Sequence, residues 1–325
     1  MNHYPSQMSK IAVTGGAGFV GTNLVRALLK ENHEVVIIDD FSTGLKGNLK
    51  GLDVKVNEIS VVDADRVSKA LEKSEYIFHL GARGSVPRSL KNPRATMDVN
   101  VTGTLNILES ARRTGAAVAF SSSSSVYGSN LELPKSEKMW MAPLTPYAAS
   151  KLSGEALVAS YAASFGISAV TYRFFNIFGP WQRPDHDYAA VIPKWIWKLI
   201  HNESIEVFGD GNQSRDFTYI DTVVSILIQG FKEKVNHPNP VNLAFGSRIT
   251  LNQCIDELRV KFSKLDVNYA PERAGDVKNS QSDPALLTSI FPHIKPVGFS
   301  QALENTYQWF VEHGTSIANG PRVTD

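Results

Sequence analysis

The sequence predicts an α/β fold: a doubly wound parallel sheet with a smaller α/β region toward the C-terminal end. Two observations predict it. Short β-branched runs, KIAVTG, EVVIID, YIFHLG, AAVAFSS and ISAVTYRFF, later DFTYI and VNLAF, alternate with longer helical patterns, which is the βαβ rhythm of a parallel sheet with helices on both faces. From about Trp181 that rhythm falters, because Pro180, Pro184 and Pro193 stand close together and the helices no longer follow strands. A second, smaller region begins there. The 325 residues, 42% hydrophobic and 20% charged, suffice for one large domain or two modest ones with real cores.

Taken in order, the first strand runs into TGGAGFVGTNLVRALLK, where Gly15, Gly18 and Gly21 stand three apart at a strand-to-helix turn. Such a turn lets backbone N–H groups approach a pyrophosphate at the positive end of the helix. Glycines also mark ordinary tight turns, so the context carries the weight. EVVIIDD follows as a second strand, and Asp39 ends it at the distance expected of a carboxylate that binds the ribose hydroxyls of adenosine. The alternative is that Asp39 and Asp40 merely open a polar loop. The combination predicts a Rossmann-type site for NAD rather than NADP, whose 2′-phosphate would face a negative charge. Residues 1–176 are then the NAD-binding domain, to which the chain returns at about 216–246, and 177–325 form mainly the substrate domain.

The strand AAVAF leads into five serines, 121–125, which VYG closes. Thr145 as N-cap and Pro146 at the first helical position start a helix through YAASKLSGEALVASYAASF to Gly166. Tyr147 and Lys151, four apart, share one face of it. A phenol titrates near pH 10 in water, and a nearby ammonium favours the phenolate, so the pair is expected to supply a base near neutrality. A lone Tyr and Lys at this spacing is weak evidence in a chain with ten tyrosines.

Charge and cysteine content narrow the partners. The net charge is +1 with no basic block, which argues against nucleic acid and against a membrane surface and leaves small ligands. The polar N-terminal MNHYPSQMSK lacks the apolar core of a signal peptide, and the most apolar later run, AAVIPKWIWKLIH, is broken by two lysines. The single cysteine, Cys254, excludes an internal disulfide framework and reads as a small core residue. A cytoplasmic location is the expectation.

TGGAGFVG, DDFSTG, HLGARGSVPRS, SSSSSVYG, PYAASK, RFFNIFGP and GDGNQSRDFTYID together resemble the extended short-chain dehydrogenase/reductase family, and within it the nucleotide-sugar 4-epimerases. The motifs fall in the family's order over nearly the whole chain. The resemblance implies that Tyr147 is the catalytic base, that Lys151 binds the nicotinamide ribose and depresses the tyrosine pKa, and that Ser123 relays the proton of the sugar O4. It adds Phe19, Val20, Asp40, Ser42, Glu58, Ile59, Leu80, Gly81, Ala82, Asn100, Ser121 and Phe174 to Gly15, Gly18 and Asp39 as cofactor contacts. Gly81 replaces a usual alanine, and Glu58 an aspartate that contacts adenine. A homodimer is expected by the same resemblance.

On the substrate side the resemblance implies contacts from Ser85, Ser124, Ser125, Asn176, Ala190, Val191, Val207 and Phe208. Arg215, Arg273 and Asp276 would hold a nucleoside diphosphate, with uridine as the expected nucleoside. The 4,6-dehydratases resemble TDE where this chain has Ser123, Ser124 and Ser125, and the decarboxylases carry Glu at the place of Ser125. Epimerisation remains. Ser280 occupies the place of a tyrosine that closes the pocket beside C2 in glucose/galactose enzymes, so an N-acetyl group is expected to fit. Arg183 stands where uronate epimerases pair a C6 carboxylate, although Asn176 replaces their usual threonine. The readings left open are a UDP-N-acetylglucosamine/UDP-N-acetylgalactosamine 4-epimerase, a uronate 4-epimerase and, in another class, a non-catalytic NAD-sensing scaffold.

Overall fold

The structure, a computed structural model, describes residues 8–185, 189–272 and 278–318. In the N-terminal half each apolar run becomes a strand. β1 (Lys10–Thr14) leads to α1 (Phe19–Lys30), and β2 (Glu34–Asp39) to β3 (Lys55–Glu58) and α2 (Ala64–Leu71). β4 (Tyr76–His79) is followed by the short helices α3 (Val86–Lys91) and α4 (Pro93–Met97), one π-helical turn at Asp98–Thr102, and α5 (Gly103–Thr114). β5 (Ala117–Ser123) precedes α6 (Pro146–Phe165) and β6 (Ala169–Phe174).

The remaining chain is more broken. β7 (Asn176–Phe178), α7 (Val191–Ile200), β8 (Ile205–Phe208), β9 (Ser214–Arg215) and β10 (Phe217–Tyr219) come before α8 (Ile220–Lys232) and β11 (Val241–Leu243). After them stand β12 (Ile249–Thr250), α9 (Leu251–Lys261), β13 (Val267–Ala270), α10 (Ala285–Ile290) and α11 (Phe299–Ala318).

Seven strands form one parallel sheet in the order β11-β6-β5-β4-β1-β2-β3. Strand order reverses between β1 and β4, the switch point where open α/β sheets leave a crevice at their carboxyl ends. Along each strand alternate side chains go to opposite cores: Ile11, Val13, Tyr76 and Phe78 to one, Ala12, Ile38, Ile77 and Val118 to the other. Both faces are dry, which explains runs of apolar residues without polar alternation. α1 packs beside α8 on one face, and α2, α5 and α6 lie together on the other.

Two elements differ from the sequence expectation. KVNE forms β3, an edge strand without an apolar run to announce it. DFTYI contributes β10, which pairs with β7, Phe217 opposite Asn176, and not with the seven-stranded sheet. VNLAF does join that sheet, as β11 beside β6. Among the described residues no helix is long and apolar enough to cross a membrane.

α6 begins and ends as its sequence predicts. Thr145 Oγ1 accepts from Ala148 N at 3.2 Å, and Gly166 closes it at φ 69°. Its approach to the sheet depends on Gly154, because a Cβ there would lie 2.4 Å from Cζ of Phe120 on β5. Gly154→Ala is therefore expected to cost about 1–3 kcal/mol by overpacking, read from urea unfolding; unchanged stability would show that α6 can move off the sheet freely.

Candidate active site

The carboxyl ends of β1, β2 and β4 open around a glycine turn. Gly15 has φ 69°, its N–H donates to Ile38 O at 2.8 Å, and a Cβ on it would sit 2.9 Å from the backbone of Gly81. Only a glycine fits where these two strand ends meet. Gly18 stands at the N-cap of α1 with no side-chain cap, so the first N–H groups of that helix remain available to an anion.

Asp39 closes the other wall. Its Oδ2 accepts from Ala17 N at 2.9 Å and its Oδ1 from Phe41 N at 2.8 Å. Burial pushes its carboxyl up, against the pull of those two N–H groups. Each oxygen keeps a second lone pair, so the cleft presents acceptors for hydroxyl groups and would repel a phosphate. Gly15, Gly18, Asp39, Asp40 and Ser42 line this cleft together with Ile59, Leu80, Gly81 and Ala82. Asp40 Oδ1 also accepts from Ser42 N and Oγ. Phe19, Val20, Arg183 and Ala190 line an adjoining cavity over the same glycine turn. Glu58 is not part of either wall: it pairs with Lys46 at 2.6 Å on the exposed side of β3.

At the end of β5 the serine run lies against α6. Ser123 caps a short turn by accepting from Ser125 N at 3.2 Å, and its hydroxyl is near enough to the phenol of Tyr147 to favour the ionised form. Ser124 and Ser125 follow, half-buried, and Ser125 Oγ is shielded from solvent without a hydrogen-bond partner among the described residues. Lys151 is buried, donates from Nζ to Ser121 O at 2.8 Å, and lies over the Phe120 ring at 5.3 Å.

The electrostatics correct one expectation. Burial pushes the Tyr147 phenol up, and the neighbouring Ser123 hydroxyl opposes this without overcoming it. Burial also pushes Lys151 down to about 8, with Glu155 pulling the other way. The ammonium that was to depress the tyrosine is itself desolvated and committed to the Ser121 carbonyl.

Behind the serines lies a group the sequence reading passed over. Glu155, one turn after Lys151, makes a bidentate pair with Arg173 of β6 at 2.8 and 2.7 Å and accepts from Ser122 Oγ at 2.5 Å. Both charged partners are buried. Arg173 also donates to Tyr127 Oη, which donates to Asn242 Oδ1 at 2.7 Å. The signal was present: Glu155 stands four residues from Lys151 in the same motif.

The nucleotide-side expectations divide. Val191, Phe208 and Arg215 line one cavity with Lys194, Lys198 and Gln213, two lysines the sequence did not single out. Val207 is instead wholly buried in the core, and Phe174 packs against the core from the end of β6. Arg215 Nη1 donates to Ser214 O and Lys278 O, and Ser280 N donates to Ser214 O, so Arg215 and Ser280 flank one segment. That segment hangs on Asp216, wholly buried, which accepts from the N–H and hydroxyl of both Ser247 and Ser282 and from Gly246 N. Asn176 N donates to Asp216 O, and Ser85 Oγ caps α3. Arg183 forms a bidentate pair with Asp185 at 2.9 and 2.7 Å, which occupies the fork expected to meet a sugar carboxylate. Arg273 and Asp276 lie outside the described residues.

Comparison with known proteins places this geometry. The pattern of the NAD dependent epimerase/dehydratase family matches residues 11–244. The UDP-glucose 4-epimerase of Mycolicibacterium smegmatis is 31% identical over 310 residues, 92% of this chain and 97% of the relative. A UDP-N-acetylglucosamine 4-epimerase from Methanobrevibacter ruminantium M1, solved with UDP-N-acetylmuramic acid, superposes with a TM-score of 0.89 at 36% identity, over 94% of this chain and 99% of the other. The UDP-glucuronic acid 4-epimerase of Bacillus cereus, solved with UDP-glucuronic acid and NAD, gives 0.85 at 30% identity over 93% and 99%. The chain belongs to the NAD-dependent epimerase/dehydratase family. Its glycine turn, its open helix terminus and the hydroxyl-accepting face of Asp39 fit that cofactor.

Two outcomes follow from these buried charges. Glu155→Gln leaves Arg173 desolvated without its counter-charge and is expected to cost about 3–5 kcal/mol in urea unfolding, while replacing both partners by apolar residues recovers most of it. Lys151 keeps its charge only below about 8, so turnover should fall as pH rises through that value, whereas a plateau to pH ~10 would contradict a role for the ammonium. The sign for stability is opposite. The folded pKa lies below the unfolded one, so this group's contribution to stability rises between about 8 and its ordinary value of 10.5.

Proposed function

We propose that this chain is a 4-epimerase of UDP-hexoses, with UDP-N-acetylglucosamine and UDP-N-acetylgalactosamine as its preferred pair. The observation that carries the reading is Tyr147 and Lys151 on one face of α6, with Lys151 bonded to the serine run at the end of β5 and no carboxylate among Ser123, Ser124 and Ser125. NAD, when bound, supplies a reversible hydride acceptor for C4 of the sugar. Tyr147 takes the O4 proton through Ser123 as a phenolate, a form that the Lys151 ammonium, charged below about 8, and the positive charge that NAD would bring would together favour. Arg215 holds the diphosphate, for which a guanidinium is suited. Turning of the 4-keto sugar about that diphosphate presents its opposite face, and Tyr147 returns the proton to O4. Elimination of water or loss of carboxylate would need an acid or base at the positions of Ser124 and Ser125, and serine hydroxyls are poor substitutes.

The N-acetyl preference rests on Ser280, a small half-buried residue beside Ser214 and Arg215. The relative solved with UDP-N-acetylmuramic acid, itself an N-acetylated sugar nucleotide, supports it. A uronate substrate is the second reading, favoured by Arg183 on the wall of the cavity over the glycine turn and by the Bacillus cereus relative. Its difficulty is Asp185, which would have to release the guanidinium.

Incubation with UDP-N-acetylglucosamine, UDP-glucose and UDP-glucuronate separately, with products identified by proton NMR, tests the choice. The first is expected to give UDP-N-acetylgalactosamine; conversion of the glucuronate alone would transfer the assignment to the second reading. Tyr147→Phe should retain fold and NAD while turnover falls at least about a hundredfold, and near-normal turnover would refute the base. Ser280→Tyr should suppress N-acetylated substrates more than plain hexoses, and equal loss on both would refute the pocket argument.

A further inference from the structure

A continuous line of hydrogen bonds crosses the sheet from the glycine turn to the helix that carries Tyr147, and its direction can be worked out atom by atom. Gly81 N donates to Thr14 Oγ1 at 2.9 Å, so that hydroxyl keeps its hydrogen for His79 Nδ1, 2.8 Å away. On the far side Thr104 Oγ1 donates to Asn100 O at 2.6 Å. Its hydrogen is therefore committed, and the 3.0 Å contact with His79 Nε2 must be donated by the ring. His79 is thus the neutral tautomer protonated at Nε2. Burial, with the charge of Lys151 adding to it, pushes its pKa down to about 3, in agreement with the geometry.

The line continues. Asn100, in the π-helical turn, accepts from Arg83 N at 2.7 Å and donates to Ser150 Oγ at 2.9 Å, and Ser150 Oγ donates to the carbonyl of Tyr147 at 2.7 Å. A second arm leaves the same histidine: Ser121 Oγ donates to His79 O at 3.1 Å, and Ser121 O accepts Lys151 Nζ. Thr14, His79, Thr104, Asn100 and Ser150 are all at most 2% exposed. Water cannot replace a lost bond there, and an unpaired member carries its full desolvation penalty.

We propose that His79 and Thr104 are positioning residues, which hold the Tyr147 and Lys151 helix in fixed register with the glycine turn through Asn100 and Ser150. Neither lines the cleft at the glycine turn or the cavity beside it. This inference rests on the assignment of Tyr147 as base, and on nothing about which sugar is used.

The test uses the full NAD-bound chain and three variants. Thr104→Val removes the hydroxyl at constant shape, Thr104→Ser restores it, and His79→Phe removes both ring nitrogens while keeping the ring against Phe120, now 5.6 Å between centroids. Two quantities are read: kcat per bound NAD, and the titration of Tyr147 by ¹³C NMR of ring-labelled tyrosine, its resonance assigned by loss in Tyr147→Phe. Thr104→Val and His79→Phe are expected to lower kcat about tenfold with KM little changed and to move the Tyr147 midpoint by about half a unit or more. Thr104→Ser is expected to restore both. Reduced melting temperature with unaltered kcat per NAD and unaltered Tyr147 titration would overturn the proposal. If no UDP-sugar is turned over by the wild type, the functional assignment fails while the titration arm still decides this one.

Discussion

Everything at this site hangs from a carboxylate kept out of water. Glu155 lies one turn beyond Lys151 and two beyond Tyr147, and its pairing with Arg173 fixes the rotation and height of α6 against β6. One of those oxygens, Oε1, also orders Ser122, the neighbour of Ser123. A buried ion pair of this kind is weak evidence for stability as such, because two ions must be desolvated to form it. What it supplies is geometric: α6 has one way to sit that leaves neither charge unpaired. Gly154, one residue earlier, permits the close approach that the pair requires.

The chain handles its protons by burial more than by charge. Tyr147 and Lys151 are both pushed toward their neutral forms, and His79 is driven well below its ordinary range. A site arranged so favours the phenol over the phenolate. The substrate side follows another rule. Asp216 gathers five donors from two loops, and so the segment bearing Ser280 and the strand bearing Arg215 are held by one carboxylate.

Much of this was legible in the sequence because the determinants are local. The parallel, doubly covered sheet follows from runs whose apolar character is continuous, and α6 from Thr145, Pro146 and Gly166 around a helical stretch. The glycine turn and Asp39 could be read because a backbone constraint leaves glycines at fixed offsets. The lapses have physical reasons too. β3 is a polar edge strand whose pairing depends on its neighbour β2, and DFTYI has strand composition but finds β7 as its partner. Arg183 looked available in the sequence, and only folding brings Asp185 onto its fork. The direction of the Tyr147 shift depends on how much solvent is lost around the ring, which spacing along a helix cannot encode. His79, Thr104 and Ser150 were invisible for a similar reason: single polar residues in apolar surroundings acquire meaning from the partner across the sheet.

The central claim is that Tyr147, Ser123 and Lys151 serve a reversible oxidation at C4 with nothing else changed in the sugar. The most direct measurement follows deuterium placed at C4 of UDP-N-acetylglucosamine, by NMR and mass spectrometry, in the presence of the purified chain and NAD. The account predicts that the 4-epimer forms with deuterium retained at C4. Deuterium lost to solvent, moved to another carbon, or accumulated on the nicotinamide would contradict it.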